Sequence, residues 1–280
     1  QVENIVISPL ALTRSILNEG EKEFGATVID LGGGQTTVAV MRGQELQYTN
    51  IYQEGGDYIT KDISKVLTTS QSIAENLKFN YGIAYPQQAT EKEKFTVEVI
   101  GESNPVEVTE RYLSEVIAAR LRQIFTRVKQ DLERTRALEL PGGVVLVGGG
   151  AILPGITELA QEILGVNTKL YIPNQIGIRN PSFAHVIALV EYVGGLDDVE
   201  KISQAAVNGE ADLRQKPIDI PVASKRPSAS PIVPKPVAVE PYSEEEVQAD
   251  APAYVNNTEA EEPKSNIGDR LRGFFGSMFE

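Results

Sequence analysis

Apolar positions recur with two different periods along the first 196 residues, and the periods assign the elements. Gln1 to Ile7 predicts a strand and Pro9 to Leu17 a helix. Phe24 to Leu31 is a short apolar run ending in glycine. Gln35 to Met41 and Glu45 to Gln53 alternate with period two, and Arg42-Gly43 supplies the turn between them. These three segments predict an antiparallel meander. Gly55-Gly56 then opens a helix over about Tyr58 to Leu67, and a second runs over about Ser70 to Tyr81, with Ser70 or Ser72 as N-cap. Phe95 to Ile100 and Val106 to Val108 predict two more strands. Thr109 caps a long helix, Glu110 to Arg134, whose apolar residues Leu113, Ile117, Leu121, Ile124 and Val128 form one wide face. Gly143 to Val147 is a continuous apolar run, as a buried strand requires. Pro154 to Leu164 (helix), Thr168 to Ile172 (strand) and Phe183 to Val193 (helix) complete the series. The fold class that follows is α/β, with a mixed insertion between the early strands and Gly143.

The periodicity stops near residue 196. Nine of the sixteen prolines fall between Pro217 and Pro263, and residues 197–265 carry 14 acidic and 7 basic side chains. Such a segment buries too little apolar surface to offset its ordering entropy, and its prolines favour extended conformations. It predicts a disordered acidic spacer. Periodicity then returns in residues 266–280. Ile267, Leu271, Phe274, Phe275, Met278 and Phe279 occupy an arc of roughly 140° at helical spacing, with Arg270 and Arg272 on its two borders. Asn266 is a plausible N-cap. That is the pattern of a helix lying in a membrane interface, apolar face in the acyl boundary and cations at headgroup depth. Six large side chains offer roughly 9–18 kcal/mol gross if fully buried. Three glycines oppose helix formation by roughly 1 kcal/mol each. The helix is therefore expected to form on contact with an anionic lipid surface. Docking onto the chain's own core or onto a protein groove is the competing use of the same face.

Composition narrows the chemistry. The chain has 280 residues and a net charge of −13, with no cysteine and one histidine. The charge speaks against nucleic acid as a partner, because phosphate binding needs a clustered cationic face. A disulfide scaffold, a thiol nucleophile and a Cys-ligated zinc site are excluded. His185, the single histidine, lies in an apolar helix and reads as a packed or partly exposed structural residue rather than a catalytic one. The chain begins at Gln1, and Met41 is its first methionine. That start suggests a fragment or a processed product.

Two glycine-rich turns carry the candidate chemistry. In the first, a strand ends in Asp30-Leu31-Gly32-Gly33-Gly34-Gln35-Thr36-Thr37. Glycines let backbone N–H groups approach an anion closely, the threonines add hydroxyl donors, and Asp30 can hold a hydrated Mg²⁺ or orient a water. A plain hairpin turn is the alternative. In the second, Val144 to Val147 runs into Gly148-Gly149-Gly150-Ala151, followed by Leu153-Pro154-Gly155. A helix start after glycines suits an anion, though it also suits a tight connection. Neither turn has the Gly-Lys-Ser/Thr ending of a P-loop.

Two such turns, about 115 residues apart and flanking an insertion, resemble the actin-like (ribonuclease H-like) ATPase superfamily, and most closely its bacterial cell-division family, FtsA. Ala26 to Gly34, Gly55-Gly56 before Ile59-Thr60, Ala74 to Lys78, and Val147 to Pro154 carry the resemblance. It implies an ATP site with Mg²⁺. Gly32, Gly33, Gly34, Thr36 and Thr37 would contact phosphates. Asp30 would assist Mg²⁺ or the attacking water, and Gly55 and Gly56 would lie near the sugar-phosphate. Glu75 and Lys78 would reach ribose or adenine, unless they are only a surface pair. Gly148, Gly149, Gly150 and Ala151 would sit beside adenosine. The resemblance divides the chain into the end of a first lobe (1–23), a nucleotide-binding subdomain (24–54 and 140–182), an inserted α+β subdomain (55–139) and a helix returning to the first lobe (183–196). The spacer (197–265) and the amphipathic helix (266–280) follow. The family's other phosphate turn, in its first lobe, has no counterpart here, so weak or absent ATP binding is expected of this chain alone.

Arg120, Arg127 and Arg134 recur every seven residues on the long helix. Arg120 projects within the apolar arc and Arg127 along its edge. Snorkelling at the rim, with Arg127 paired to Asp131 at i,i+4, is one use. The resemblance implies another, a dock for the C-terminal tail of FtsZ, the tubulin-like ring protein. It further implies a peripheral protein at the cytoplasmic face of the membrane at midcell. That protein would tether the FtsZ ring, self-associate into filaments, receive later divisome proteins and hydrolyse ATP slowly at most. A pilus-assembly scaffold and a sugar or acetate kinase of the same superfamily are the alternatives.

Overall fold

A computed structural model describes residues 5–196. The expected spacer, the amphipathic helix and residues 1–4 lie outside the described residues. The chain enters through α1 (Ser8–Ile16) and α2 (Glu19–Phe24), then forms the meander β1 (Ala26–Leu31), β2 (Thr36–Arg42) and β3 (Glu45–Tyr52). The insertion contributes α3 (Gly56–Leu67), α4 (Gln71–Tyr81), the short strands β4 (Lys94–Val97) and β5 (Val106–Thr109), and the long helix α5 (Glu110–Arg134). The chain then returns as β6 (Val144–Val147), α6 (Ile156–Leu164), β7 (Thr168–Leu170) and α7 (Ala184–Gly195). Five strands make one sheet in the order β3-β2-β1-β6-β7, and β4 and β5 make a separate antiparallel pair.

The sheet is mixed, and that decides where the glycine turns go. β1 pairs antiparallel with β2 but parallel with β6, in register Ile29↔Leu146 and Asp30↔Val147. The turns that follow β1 and β6 therefore leave from the same, carboxyl edge of the sheet, where ligands bind in open α/β sheets.

Side chains alternate across the sheet, so each strand serves two cores. Ile29, Leu31, Val38, Val40, Val144 and Leu146 face the helices of the insertion and α6, in one continuous cluster that includes Ile63, Leu113, Ile117 and Phe125. Ala26, Val28, Met41, Val145 and Val147 face α1 and α7 through Leu12, Ile16, Ala184 and Ala188. By the same parity Asp30 belongs to the α7 face, although it sits at the strand end. The apolar arc expected on α5 is the buried face of that helix.

Several boundaries differ from the periodic expectation. Ile5 to Ile7 belong to no strand: Ile5 and Ile7 are 82% and 62% exposed, and a strand without a ladder partner leaves its backbone groups unsatisfied. Phe24 ends a helix instead of starting β1. The signal was local, a capping box in which the Asn18 side chain accepts from the Glu21 amide while the Glu21 carboxylate accepts from the Asn18 amide. The expected strands through Ile100 and Ile172 stop at Val97 and Leu170, where pairing ends. Gly149 does not open an α-helix directly. Residues Gly149–Ile152 make a 3-10 turn first, and α6 begins only at Ile156. Ser70, not Ser72, caps α4, accepting from the Ile73 amide.

Candidate functional site

The first glycine turn is closed by the Gly32 amide, which donates to the Gln35 carbonyl at 3.0 Å. The start of α3 fastens it: the amides of Gly56 and Asp57 donate to the carbonyls of Gly32 and Gly33, each at 2.9 Å. This packing is possible only because Gly55 lacks a side chain. A Cβ there would lie 2.4 Å from the Gly33 carbonyl oxygen and 2.5 Å from that of Gly32. The second turn leaves β6 through Gly148, whose φ of 91° favours glycine. A Cβ on Gly148 would fall 2.3 Å from Asp30 Oδ1 and 2.6 Å from the Leu31 carbonyl oxygen. Gly55 and Gly148 thus serve close backbone approach. The amides of Gly33 and Gly34 have no acceptor among the described residues. They remain available to an anion.

The turns open onto a cleft of about 490 Å³. Its lining includes Gly32, Gly33 and Asp57 together with the apolar side chains of Phe79, Ile152 and Leu153. A concave site with one apolar wall and convergent backbone amides suits a ligand that joins a flat apolar group to an anion. Glu75 and Lys78 line it together, as expected, but their charges are largely committed to each other. Lys78 Nζ donates to Glu75 Oε2 at 2.8 Å, to Thr60 Oγ1 at 2.8 Å and to the Gly56 carbonyl at 3.1 Å. An ammonium has three donors, so this set saturates it. Burial works to raise the Glu75 pKa, but hydrogen bonds from Lys78 and Thr60 outweigh it and hold the carboxyl below its ordinary value. Lys78 acts first as a pin between α4 and the start of α3.

The other expected residues separate into lining and support. Gly149 and Gly150 line the cleft with Gly32, Gly33 and Gly56. Thr36 is fully buried, and its hydroxyl donates to the Glu54 carbonyl at 2.7 Å, which ties β2 to the Gly55 turn. Thr37 and Ala151 are also buried. Asp30 lies at the base of the turns, with its carboxylate on His185: Nδ1 stands 2.8 Å from Oδ2. A carboxylate accepts only, so Nδ1 carries the donated proton. That hydrogen bond raises the imidazole pKa above its ordinary value, against the opposing effect of burial. His185, expected as a packed or partly exposed structural residue, is partly exposed and has in Asp30 a polar partner that the sequence did not indicate. Asp57, Phe79, Asn180 and Ser182 line the cleft and carry no sequence motif. None of the four was expected from the sequence; Asn180 alone had a local signal, a capping residue before Pro181, and its Oδ1 accepts from the Ser182 amide at 2.9 Å.

The arginines of α5 have tertiary partners. Arg120 makes a two-pronged pair with Asp62 of α3, Nε to Oδ2 at 2.5 Å and Nη2 to Oδ1 at 2.9 Å, and lies 5.6 Å from the Tyr58 ring centre. Arg127 pairs with Glu54, not with Asp131. Asp131 is taken by Asn50, Tyr52 and Arg134. The i,i+4 pairing fails because β3 brings Asn50 and Tyr52 to Asp131 first. Half of the Arg127 side chain, 49%, stays exposed, against 14% for Arg120.

Comparison with known proteins fits this architecture. Residues 27–188 match the family model "Cell division protein FtsA", and residues 199–280 match "Cell division protein FtsA, C-terminal". The chain is 56% identical to the cell division protein FtsA of Streptococcus pneumoniae, over all of this chain and 61% of that protein. It is 48% identical to the FtsA of Enterococcus hirae, over all of this chain and 60% of that protein. The chain therefore spans about three fifths of the length of these relatives. Among solved structures, MreB5 of Spiroplasma citri bound to ADP superposes with a TM-score of 0.57 at 17% identity, covering 73% of this chain and 61% of that one. A MamK double helical filament gives 0.51 at 14% identity, covering 68% and 59%. The fold is actin-like.

The chain belongs to the FtsA cell-division family.

Proposed function

We propose that this member of the FtsA family tethers the FtsZ ring to the cytoplasmic face of the membrane at midcell, through an actin-like body that binds ATP. The observation that carries the reading is the convergence of two glycine turns on one cleft with an apolar wall. The amides of Gly33 and Gly34 would hold phosphate oxygens. Phe79 and Ile152 would cover the base, and Glu75, with Lys78 behind it, would face the sugar. Among the described residues no three acidic or histidine side chains converge as a metal site. Mg²⁺ would travel with the phosphates and water, with Asp30 as an outer acceptor. When bound, Mg²⁺ would offset phosphate charge.

The remaining roles follow the family. The FtsZ tail, acidic in chemistry, would dock on α5. Arg127 would offer its exposed edge, and Arg120 would hold the face in place through Asp62. Ile267, Arg270, Leu271, Arg272, Phe274, Phe275, Met278 and Phe279 would seat a helix in an anionic leaflet, and the acidic spacer would give reach. Self-association into filaments and recruitment of later divisome proteins complete the reading. The test is co-sedimentation of FtsZ with the protein on liposomes containing anionic lipid, with and without residues 266–280. FtsZ should pellet only with the intact chain. Equal pelleting after the deletion refutes the tether. Nucleotide titration of this chain and of a form extended to its relatives' length tests the cleft. Absence of binding by the longer form refutes it.

A further inference from the structure

Asp30 is the last but one residue of β1, and its side chain points to the α7 face of the sheet. The carboxylate is only 11% exposed. On one side the Gly148 backbone closes over Oδ1, with no room for even a Cβ. On the other side Oδ2 meets His185 Nδ1 at 2.8 Å. His185 is the polar side chain that meets this carboxylate among the described residues. More than a third of its own side chain reaches solvent, 36%, so the ring contributes little as core filling. What it supplies is the donor.

The position of His185 is itself set by the cleft. Asn180 Oδ1 accepts from the Ser182 amide at 2.9 Å and from its hydroxyl at 2.7 Å, and the Phe183 amide returns to the Asn180 carbonyl at 3.0 Å. This turn starts α7 and places His185 in the first helical turn. Asn180 and Ser182 line the cleft. One short segment therefore touches the ligand space at one end and Asp30 at the other.

We propose that His185 is a positioning residue for the phosphate turn: its Nδ1–H fixes the Asp30 carboxylate against Gly148 and so sets the surface that a bound nucleoside polyphosphate meets. The proposal rests on the cleft being a nucleotide site. A carboxylate without this donor would be a nearly buried, unpartnered charge beside the turn. Its relaxation would be passed to the Gly148 backbone that closes over it, and so to the turn.

The chemistry of the contact selects the test. Asparagine places its amide nitrogen close to where Nδ1 stood, whereas glutamine reaches the position of Nε2. A fluorescent ATP analogue with Mg²⁺ is titrated into the protein extended to its relatives' length, and into its His185→Asn and His185→Gln variants. His185→Gln should weaken binding about tenfold, the loss of one hydrogen bond to a charged group. His185→Asn should stay within about threefold of the parent. In the ligand-free 280-residue chain, whose sequence holds one histidine, His185 should also show a slowly exchanging Nδ1–H resonance. Parent-like binding by His185→Gln, equal losses in both variants, or an imidazole with no such Nδ1 proton each overturn the proposal while leaving the cleft standing. A parent that binds no nucleotide overturns the cleft reading and this role together.

Discussion

Arg120→Ala should destabilise the body markedly, and the size follows from its surroundings. The guanidinium and the Asp62 carboxylate are 14% and 10% exposed and share two hydrogen bonds. Removing Arg120 leaves Asp62 nearly buried without its counter-charge. Breaking a fully buried pair costs about 3–5 kcal/mol, and the residual exposure here lowers that to about 2–4 kcal/mol. The lost cation–π contact with Tyr58 adds about 0.5–1 kcal/mol. A folded body of this size loses about 2–4 °C of Tm per kcal/mol, so the melt should fall by about 5–20 °C. Thermal unfolding followed by far-UV circular dichroism reads this directly. The double variant Arg120→Met with Asp62→Leu should recover most of the loss, since apolar replacement of a buried pair is often neutral. A single variant costing under about 0.5 kcal/mol would refute the reasoning, because it would show that the pair is solvated and worth no more than a surface bridge. The outcome bears on the tether. Reversing the charge at Arg120 sets two carboxylates against each other, so lost FtsZ binding could then be lost folding. Arg127 is itself half exposed, but its partner Glu54 is only 14% exposed, so docking is tested there with Arg127→Gln, which keeps a donor toward Glu54, and with a melt beside the binding assay.

Gly148→Ala should cost about 2–4 kcal/mol, because the new methyl meets Asp30 and the Leu31 carbonyl at a backbone angle that favours glycine. Urea unfolding measures it, and a parent-like midpoint would mean that the turn relaxes freely. Lys78→Met should cost about 1–3 kcal/mol by removing the ammonium that donates to the Gly56 carbonyl, Thr60 and Glu75, although Glu75 keeps the Thr60 hydroxyl. It should also return the Glu75 pKa upward, readable as carboxyl chemical shifts against pH. The pH dependence of stability follows His185. Its folded pKa is raised, so its contribution is complete below the ordinary value of 6.5 and is lost as pH rises through the folded value. Melts across that range should show the decline, and His185→Asn should flatten it. An equal decline in the variant would assign it to another group.

The sequence by itself determined the parts whose information is local. Period-two alternation sufficed for β2 and β3, helical spacing sufficed for the buried face of α5, and Ser70 and Thr109 marked their helices because a cap reads only three residues ahead. The two glycine turns were legible for the same reason, since each is a contiguous run after an apolar strand. The family resemblance could be read from them. The capping box at Asn18 was equally local and simply competed with the apolar run beside it. Tertiary structure decided everything that depends on which elements become neighbours. Gln1 to Ile7 had the composition of a strand, but Ile5 to Ile7 meet no edge to pair with. Arg127 had an aspartate one helical turn away and took Glu54 instead, because the turn that follows β3 carries Glu54 to α5. Arg120 found Asp62 on a different helix. Above all, the parallel pairing of β1 with β6 set both turns on one edge, and the parity of β1 turned Asp30 toward α7 and His185. Hydrophobic period constrains a residue's face over three or four positions. The partner on that face comes from sheet register and packing across long stretches of chain, which no local pattern encodes.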